Sequence, residues 1–319
     1  MLRRLGYVAI SLSLGGIGNR TCRLANATPV RLRELITLNL DALESILLFN
    51  AEHDIKLYRI SSEIIPFASH PVNELEWWNE FGDRLRTIGD IIKQHDIRVS
   101  MHPGQYTVLN SPRPDVVTNA IADLRWHTHF LDALGVDDSC KVNIHVGGIY
   151  GDKTAAMDRF VAVADNLPRP ILRRLTIEND DRTYTANDLI EVASRAGLPF
   201  VFDWLHHHAN PNSTGDVTEI MRRCFESWKP EDGIPKTHYS TQSADLRPGA
   251  HSQFIDPDDF LLFLDAAPDQ PFDCMLECKS KDLALLRMRE DLQARGIEHV
   301  TTNPIHANIA TLCGECRRP

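Results

Sequence analysis

Short apolar runs of β character alternate with longer runs of helical spacing along almost the whole chain, and few architectures accept that pattern. The first strand is expected over Arg4–Ile10. A helix follows from Pro29 to about Phe49, with Thr28 as its N-cap and Pro29 at its first position. Further strands are expected at Lys56–Ser61, Ile97–Met101, Lys141–Val146, Leu175–Ile177, Pro199–Phe202, Lys236–Tyr239 and Asp273–Leu276. Helical spacing fills the intervals Glu76–His95, Pro114–Leu134, Thr154–Asn166, Ala186–Ala196, Asp216–Trp228 and Asp258–Ala266, and a last helix spans Lys281–Ala294. Repeated strand–helix units over ~250 to 300 residues suit an α/β chain folded as a (β/α)8 TIM barrel. A doubly wound open sheet would also alternate, but it usually carries a glycine-rich phosphate loop directly after its first strand. The GGIGN segment, Gly15–Asn19, does not match that loop and lies too far along. One domain is therefore expected over residues 1–295, followed by a weakly periodic tail over 296–319.

Composition narrows the class. The 319 residues are 43% hydrophobic and 24% charged, which is ordinary globular usage and excludes disordered, collagen-like and coiled-coil chains. The net charge of −10 argues against a generally sticky nucleic-acid coat, although a local basic groove can sit on an acidic body. No apolar run approaches a membrane span. Arg3 and Arg4 before the Leu5–Ile17 stretch imitate a signal peptide, but Gly15, Gly16 and Gly18 interrupt it, so the segment reads as a strand and its loop. The seven cysteines are scattered and odd in number, which fits reduced thiols and a cytoplasmic location. The one Cys-x-x-Cys, Cys313 and Cys316, lacks the second pair that a zinc ribbon needs.

The chemistry lies in a positional coincidence. His102, His145, Glu178, Asp203, His238 and Glu277 fall at or near the C-terminal ends of six successive expected strands. In a barrel those ends converge on one face, where active sites are built. Histidines and carboxylates brought together suit zinc or manganese, and crowded carboxylates need cations. His206 stands three residues after Asp203 and shares its face if a helical turn begins there. His251 lies in the loop after the seventh strand. His207 and His208 are expected to point into solvent. Six to eight ligands exceed the needs of one ion, so a cluster of two or three divalent metals is expected, an arrangement known for phosphodiester cleavage. Gln105 and Tyr106 occupy the loop after the third strand, where an aromatic beside an amide suits either a wedge for nucleic-acid bases or a ring packed on its neighbour.

Six segments together resemble the UV damage endonuclease family: HPGQY (His102–Tyr106), IPFASHP (Ile65–Pro71), IEND (Ile177–Asp180), DWLHH (Asp203–His207), KTH (Lys236–His238) and RPGAH (Arg247–His251). The resemblance covers about residues 1–285 and leaves the tail aside. It implies a TIM barrel akin to endonuclease IV and the xylose isomerase-like proteins. It implies an enzyme that acts on damaged double-stranded DNA, with no membrane and no obligate protein partner. Such enzymes hydrolyse the phosphodiester immediately 5′ to pyrimidine dimers, 6-4 photoproducts and other distorting lesions, abasic sites included, leaving a 3′-hydroxyl and a 5′-phosphate.

Carried over residue by residue, the metal ligands are His102, His145, Glu178, Asp203, His206, His238, His251 and Glu277. The implied cofactors are two or three divalent ions, Mn2+ first, with Zn2+ and Mg2+ as alternatives. Glu178 would bridge two metals, and His206 and His251 would serve a third. Lys236 and His70 would stand beside the cluster in catalytic positions, and a lysine at the Lys236 position can be carboxylated in the family. Gln105 and Tyr106 would probe the lesion from the opposing strand, and Tyr7 would face the damaged strand. Where the family often has an asparagine shortly after that tyrosine, this chain has Ser11, a shorter group that cannot present the same paired donor and acceptor. Arg20, Arg23 and Lys279 are candidates for phosphate contacts. Three other readings compete: a pure abasic-site endonuclease, a metal-dependent sugar isomerase, and a non-catalytic damage-binding protein.

Overall fold

The computed structural model describes residues 1–297. Eight parallel strands close in sequential order: β1 (Leu2–Val8), β2 (Leu57–Ile60), β3 (Arg98–Met101), β4 (Val142–His145), β5 (Leu175–Glu178), β6 (Phe200–Asp203), β7 (Lys236–Tyr239) and β8 (Phe272–Leu276). The main helix after each strand takes the same number: α1 (Pro29–Glu52), α2 (Gly82–Gln94), α3 (Pro114–Ala133), α4 (Lys153–Ala164), α5 (Ala186–Ala196), α6 (Val217–Glu226), α7 (Pro257–Ala266) and α8 (Lys281–Ala294). The TIM barrel expected from the alternation is the fold. Cys313 and Cys316 and most of the tail lie outside the described residues. Among the described residues the cysteines are free, and no helix is long and apolar enough to cross a membrane.

Local chemistry set several of these boundaries. Thr28 accepts the Arg31 N–H at the start of α1. Thr185 and Asp188 form a reciprocal capping box on α5, which Gly197 ends in the left-handed conformation. Most bounds agree within a residue or two, and two differences are informative. β1 begins and ends two residues earlier than expected, because its N-terminal part pairs with β8 rather than fraying. The single helix expected over Glu76–His95 is broken at Phe81 into a short turn, Trp77–Glu80, and α2.

Strand alternation sorts side chains into two sets. Leu5 and Tyr7 of β1 join the large core between barrel and helices, whereas Val8 packs with Leu57 and Met275 inside the barrel. Beneath that small apolar layer lies a charged one. Asp273 is fully buried and accepts from Arg98 Nη1 at 2.9 Å and Arg4 Nη1 at 3.4 Å. Arg98 also donates to the carbonyls of Ser139, Ile234 and Asp232, so its charge is well satisfied. This plug closes the N-terminal end of the barrel, and the strands open upward from it toward their C-terminal face.

The helix layer is close-packed against neighbouring turns. Gly89 of α2 meets the chain just after α3, where a Cβ would stand 1.7 Å from the Leu134 carbonyl oxygen. Replacing a helical glycine with alanine normally adds up to ~1 kcal/mol of stability. The overlap with backbone outweighs that gain. Gly89→Ala is expected to destabilise the protein by about 2 to 3 kcal/mol, read as a lowered urea midpoint; an unchanged midpoint would contradict this contact.

Candidate metal centre

The registry of adjacent strands brings the predicted ligands together. His145 pairs with Glu178 across β4 and β5, and Asp203 pairs with His238 across β6 and β7. All face the barrel interior, with His238 in register with Met275. Glu178 is the hub. It is 1% exposed, and its carboxylate lies 3.0 Å from His238 Nδ1, 3.4 Å from His102 Nε2 and 3.5 Å from His206 Nδ1. Two sets of donor atoms each fall within 4.8 Å: His102, His145 and Glu178, and Glu178, Asp203, His238 and Glu277. Glu178 belongs to both. His206 and His251 flank the sets, with ring centroids 6.1 Å apart and His206 5.6 Å from His145.

Second partners orient the imidazoles. The Nδ1 of His102, His206 and His251 faces the backbone carbonyl of Pro103, Asn179 and Glu277, respectively. A proton held there leaves each Nε2 as the atom available to a metal. Asp203 is fixed by Asn179, which accepts its N–H at 2.9 Å and donates to its carbonyl at 3.0 Å. Asn143 donates to Glu178 and is itself held by Thr176.

The electrostatics fit a cation cluster. Burial would lower His206, yet the charges of Asp203, Glu178 and Glu277 prevail and raise it to about 9. Burial together with the neighbouring Glu178 and Glu277 lifts Asp203 to about 6. Burial holds His238 down at about 4. Burial opposes ionisation of Glu277, but Arg59 and His238 keep it well below the usual carboxylate range. Asp203 Oδ2, His145 Nδ1 and Lys236 Nζ are buried without a hydrogen-bond partner. Unpaired buried groups of this kind are costly, and bound cations with their ligand water would satisfy them.

Other predicted residues fall variously. Lys236 lies directly under the cluster, 1% exposed, and burial with Arg59 and Arg98 pushes it down to about 7. Tyr106 is 84% exposed on the loop after β3, so it is not packed on a neighbour; Gln105 is exposed beside it. Arg20, Arg23 and Lys279 are exposed. Two expectations, for Tyr7 and His207, need correction. Tyr7 points outward from the barrel into the helix layer, fully buried, and its hydroxyl donates to Asn50 at 2.8 Å. His70 sits on the exposed loop after β2, where its ring accepts the Val72 N–H and meets Phe67, partners within its own loop. Ser11 is buried and donates to Asp282 at 2.8 Å. His207 is buried against Phe202 instead of solvated, and that burial lowers it to about 4.

Sequence reading missed Arg59. Its Nη2 donates to Glu277 at 2.5 Å and approaches His238 at 2.8 Å. The available signal was an arginine at an inward position of an otherwise apolar strand. It also missed Asp123, which accepts from Ser69, Thr107 and Trp126 and so braces the loop carrying Tyr106.

A model of the family described as UV-endonuclease UvdE matches residues 3–308. The chain belongs to that family. The match runs past residue 285, further than the motifs alone reach. A UV DNA damage endonuclease of Bacillus cereus (strain G9842) is 38% identical over 312 residues, covering 94% of this chain and 98% of the relative. The crystal structure of SacUVDE superposes with a TM-score of 0.85 at 35% identity, covering 93% of this chain and all of that one. Endonuclease IV from Thermus thermophilus shares the fold, with a TM-score of 0.55 at 15% identity over 92% of this chain and 99% of that one.

Two outcomes follow from the charge arrangement. His206 carries a proton at pH 7 in the metal-free protein because its folded value is about 9. A metal taking His206 as ligand would have to displace that proton, so calorimetric Mn2+ titration at pH 7 in buffers of different ionisation enthalpy is expected to report proton release. Apparent affinity should rise from pH 7 toward pH 9 and fall further below pH 6 as Asp203 protonates. No buffer dependence would contradict the assignment. Glu178→Gln, which removes the group common to both donor sets, should cost more metal affinity than the ~10- to 100-fold typical of an outer-shell partner.

Proposed function

We propose that this family member is a UV damage endonuclease that nicks the phosphodiester immediately 5′ to photoproducts and other distorting lesions, abasic sites included. The products carry a 3′-hydroxyl and a 5′-phosphate. The observation that carries the reading is the pairing of a buried histidine–carboxylate cluster with a tyrosine 84% exposed four residues beyond the cluster's own His102. The cluster supplies bond cleavage and the ring supplies contact with unstacked bases.

His102, His145, Glu178, Asp203, His206, His238, His251 and Glu277 would hold two or three divalent ions, Mn2+ foremost. Such ions would supply activation of water and neutralisation of charge gathering on the phosphate. Glu178 would be shared between two of them, which its membership of both donor sets supports. Lys236, unpartnered and near neutrality in its basicity, is poised for carboxylation by carbon dioxide and would then add an anionic oxygen to the cluster. Gln105 and Tyr106 enter the duplex at the lesion. A dimer has already lost stacking, so kinking it costs less than kinking intact DNA, and that difference selects the substrate.

A 5′-labelled duplex with one pyrimidine dimer, run beside undamaged and abasic duplexes with Mn2+ or chelator, tests the reading. A metal-dependent product ending just 5′ of the dimer is expected. Tyr106→Ala should lower kcat/KM on that duplex about tenfold while leaving metal content unchanged. Cleavage confined to the abasic duplex would reassign the protein as an abasic-site endonuclease. No cleavage with metals bound would turn attention to sugar substrates.

A further inference from the structure

The loop between β4 and α4 ends in a turn that its own sequence makes unfavourable. The Asp152 N–H donates to the Ile149 carbonyl at 3.0 Å, with φ of 49° at Tyr150 and 84° at Gly151. Two successive positive φ values define the mirror-image turn that favours Asn-Gly or Asp-Gly. Gly151 obeys the rule and Tyr150 breaks it, because a bulky ring in the left-handed region is disfavoured. Burial does not compensate: Tyr150 is 47% exposed and Ile149 beside it 43%. Burial therefore does not account for a tyrosine here.

The turn is also held at a particular place. It follows His145 by five residues, at the C-terminal face of the barrel. Asn110 Nδ2 donates to the Gly148 carbonyl at 2.7 Å, and the Tyr184 hydroxyl donates to the same oxygen at 3.0 Å. Gly147 backs so closely onto the loop after β3 that a Cβ would stand 2.5 Å from Asn110 Oδ1 and 2.9 Å from Val108. Val108 in turn donates to the Tyr106 carbonyl. The Arg159 guanidinium lies over the Tyr150 ring, 5.7 Å from its centroid, and its Nε donates to the Asn110 carbonyl. Asp152, next in the chain, caps α4 through the Ala155 N–H. The ring is thus oriented before anything binds, on the same braced surface as Tyr106.

We propose that Tyr150 is a second DNA-contacting aromatic, stacking on a nucleoside of the damaged duplex beside the one met by Gln105 and Tyr106. The inference rests on the reading that damaged DNA crosses this face of the barrel. A half-exposed, pre-oriented ring suits sequence-tolerant stacking, since every base offers a π-face and a fixed ring loses little freedom on binding. The unfavourable backbone is then retained for what the ring touches.

Asparagine and histidine both tolerate positive φ, but only histidine keeps a flat ring. Tyr150→Asn and Tyr150→His therefore separate the turn from the contact. At about pH 8, above the ordinary imidazole pKa of about 6.5, Tyr150→Asn is expected to keep a wild-type Tm and Mn2+ content. Its KM for the dimer duplex should rise about tenfold with kcat little changed. Tyr150→His should remain within about threefold of wild type. A wild-type KM for Tyr150→Asn, a lowered Tm in that variant, or equal losses in both variants would overturn the proposal. Wild type and Tyr106→Ala run alongside separate the two readings. If wild type nicks no damaged duplex, the proposed function fails; if Tyr106→Ala loses activity and Tyr150→Asn does not, only this inference fails.

Discussion

Glu178 is a carboxylate shut away from water, and the rest of the molecule is arranged around making that tolerable. A buried charge without compensation costs several kcal/mol. Asn143 supplies one hydrogen bond, and His102, His206 and His238 surround the remaining oxygen surface. Asp203 and Glu277 then add two further carboxylates to the same few ångströms. Arg59 neutralises part of this, but it pairs with Glu277 rather than with Glu178. Protein groups therefore balance the centre incompletely, and the direction of each shift records the shortfall: His206 is drawn up by surrounding acids and Asp203 is forced toward protonation. Bound cations would supply the charge that such a site lacks.

The closed sheet makes this possible by separating stability from chemistry. At the N-terminal end, Arg98 and Asp273 are buried as an ion pair, with four acceptors taking the guanidinium. Val8, Leu57 and Met275 form an apolar floor above them. The candidate metal centre gathers toward the C-terminal strand ends, where Asp203 and His145 each carry a buried atom without a partner. Lys236, in register with Asp273, sends its unpartnered ammonium up from the lower level. A working face at the C-terminal strand ends is where a barrel places its chemistry.

Periodicity made the architecture legible, and the strand ends made most of the cluster legible. A residue at the end of a parallel barrel strand has its position set by topology, so His102, His145, Glu178, Asp203, His238 and Glu277 converge once the strands are right. Which way a side chain faces one or two residues further back is a matter of parity, and parity failed at Tyr7: β1 ends at Val8, two residues earlier than expected. His207 failed for another reason. A run of three histidines suggests solvent, but Phe202 covers this one. Ser11, too short for the paired contact that an asparagine offers, is taken up by Asp282. Arg59 was hidden because a charged residue in a strand ordinarily reads as an edge or surface position. Only closure of the barrel turns its side chain onto Glu277.

The centre and its rim answer different questions. On the proposed function the centre around Glu178 meets a phosphodiester, and every nucleotide of a duplex offers one. Discrimination between damaged and intact DNA has to come from the energy of deforming the duplex, since that is where the two substrates differ. A probe that yields would let intact DNA adapt at little cost and blur the difference. The loop bearing Tyr106 is accordingly held at several points: Thr107 donates to Asp123, Asn110 is fastened to Gly148 and Tyr184, and His102 at its root turns its Nδ1 to Pro103. On the function proposed above, this bracing converts a small difference in duplex stiffness into a difference in how often the scissile phosphate reaches the cluster.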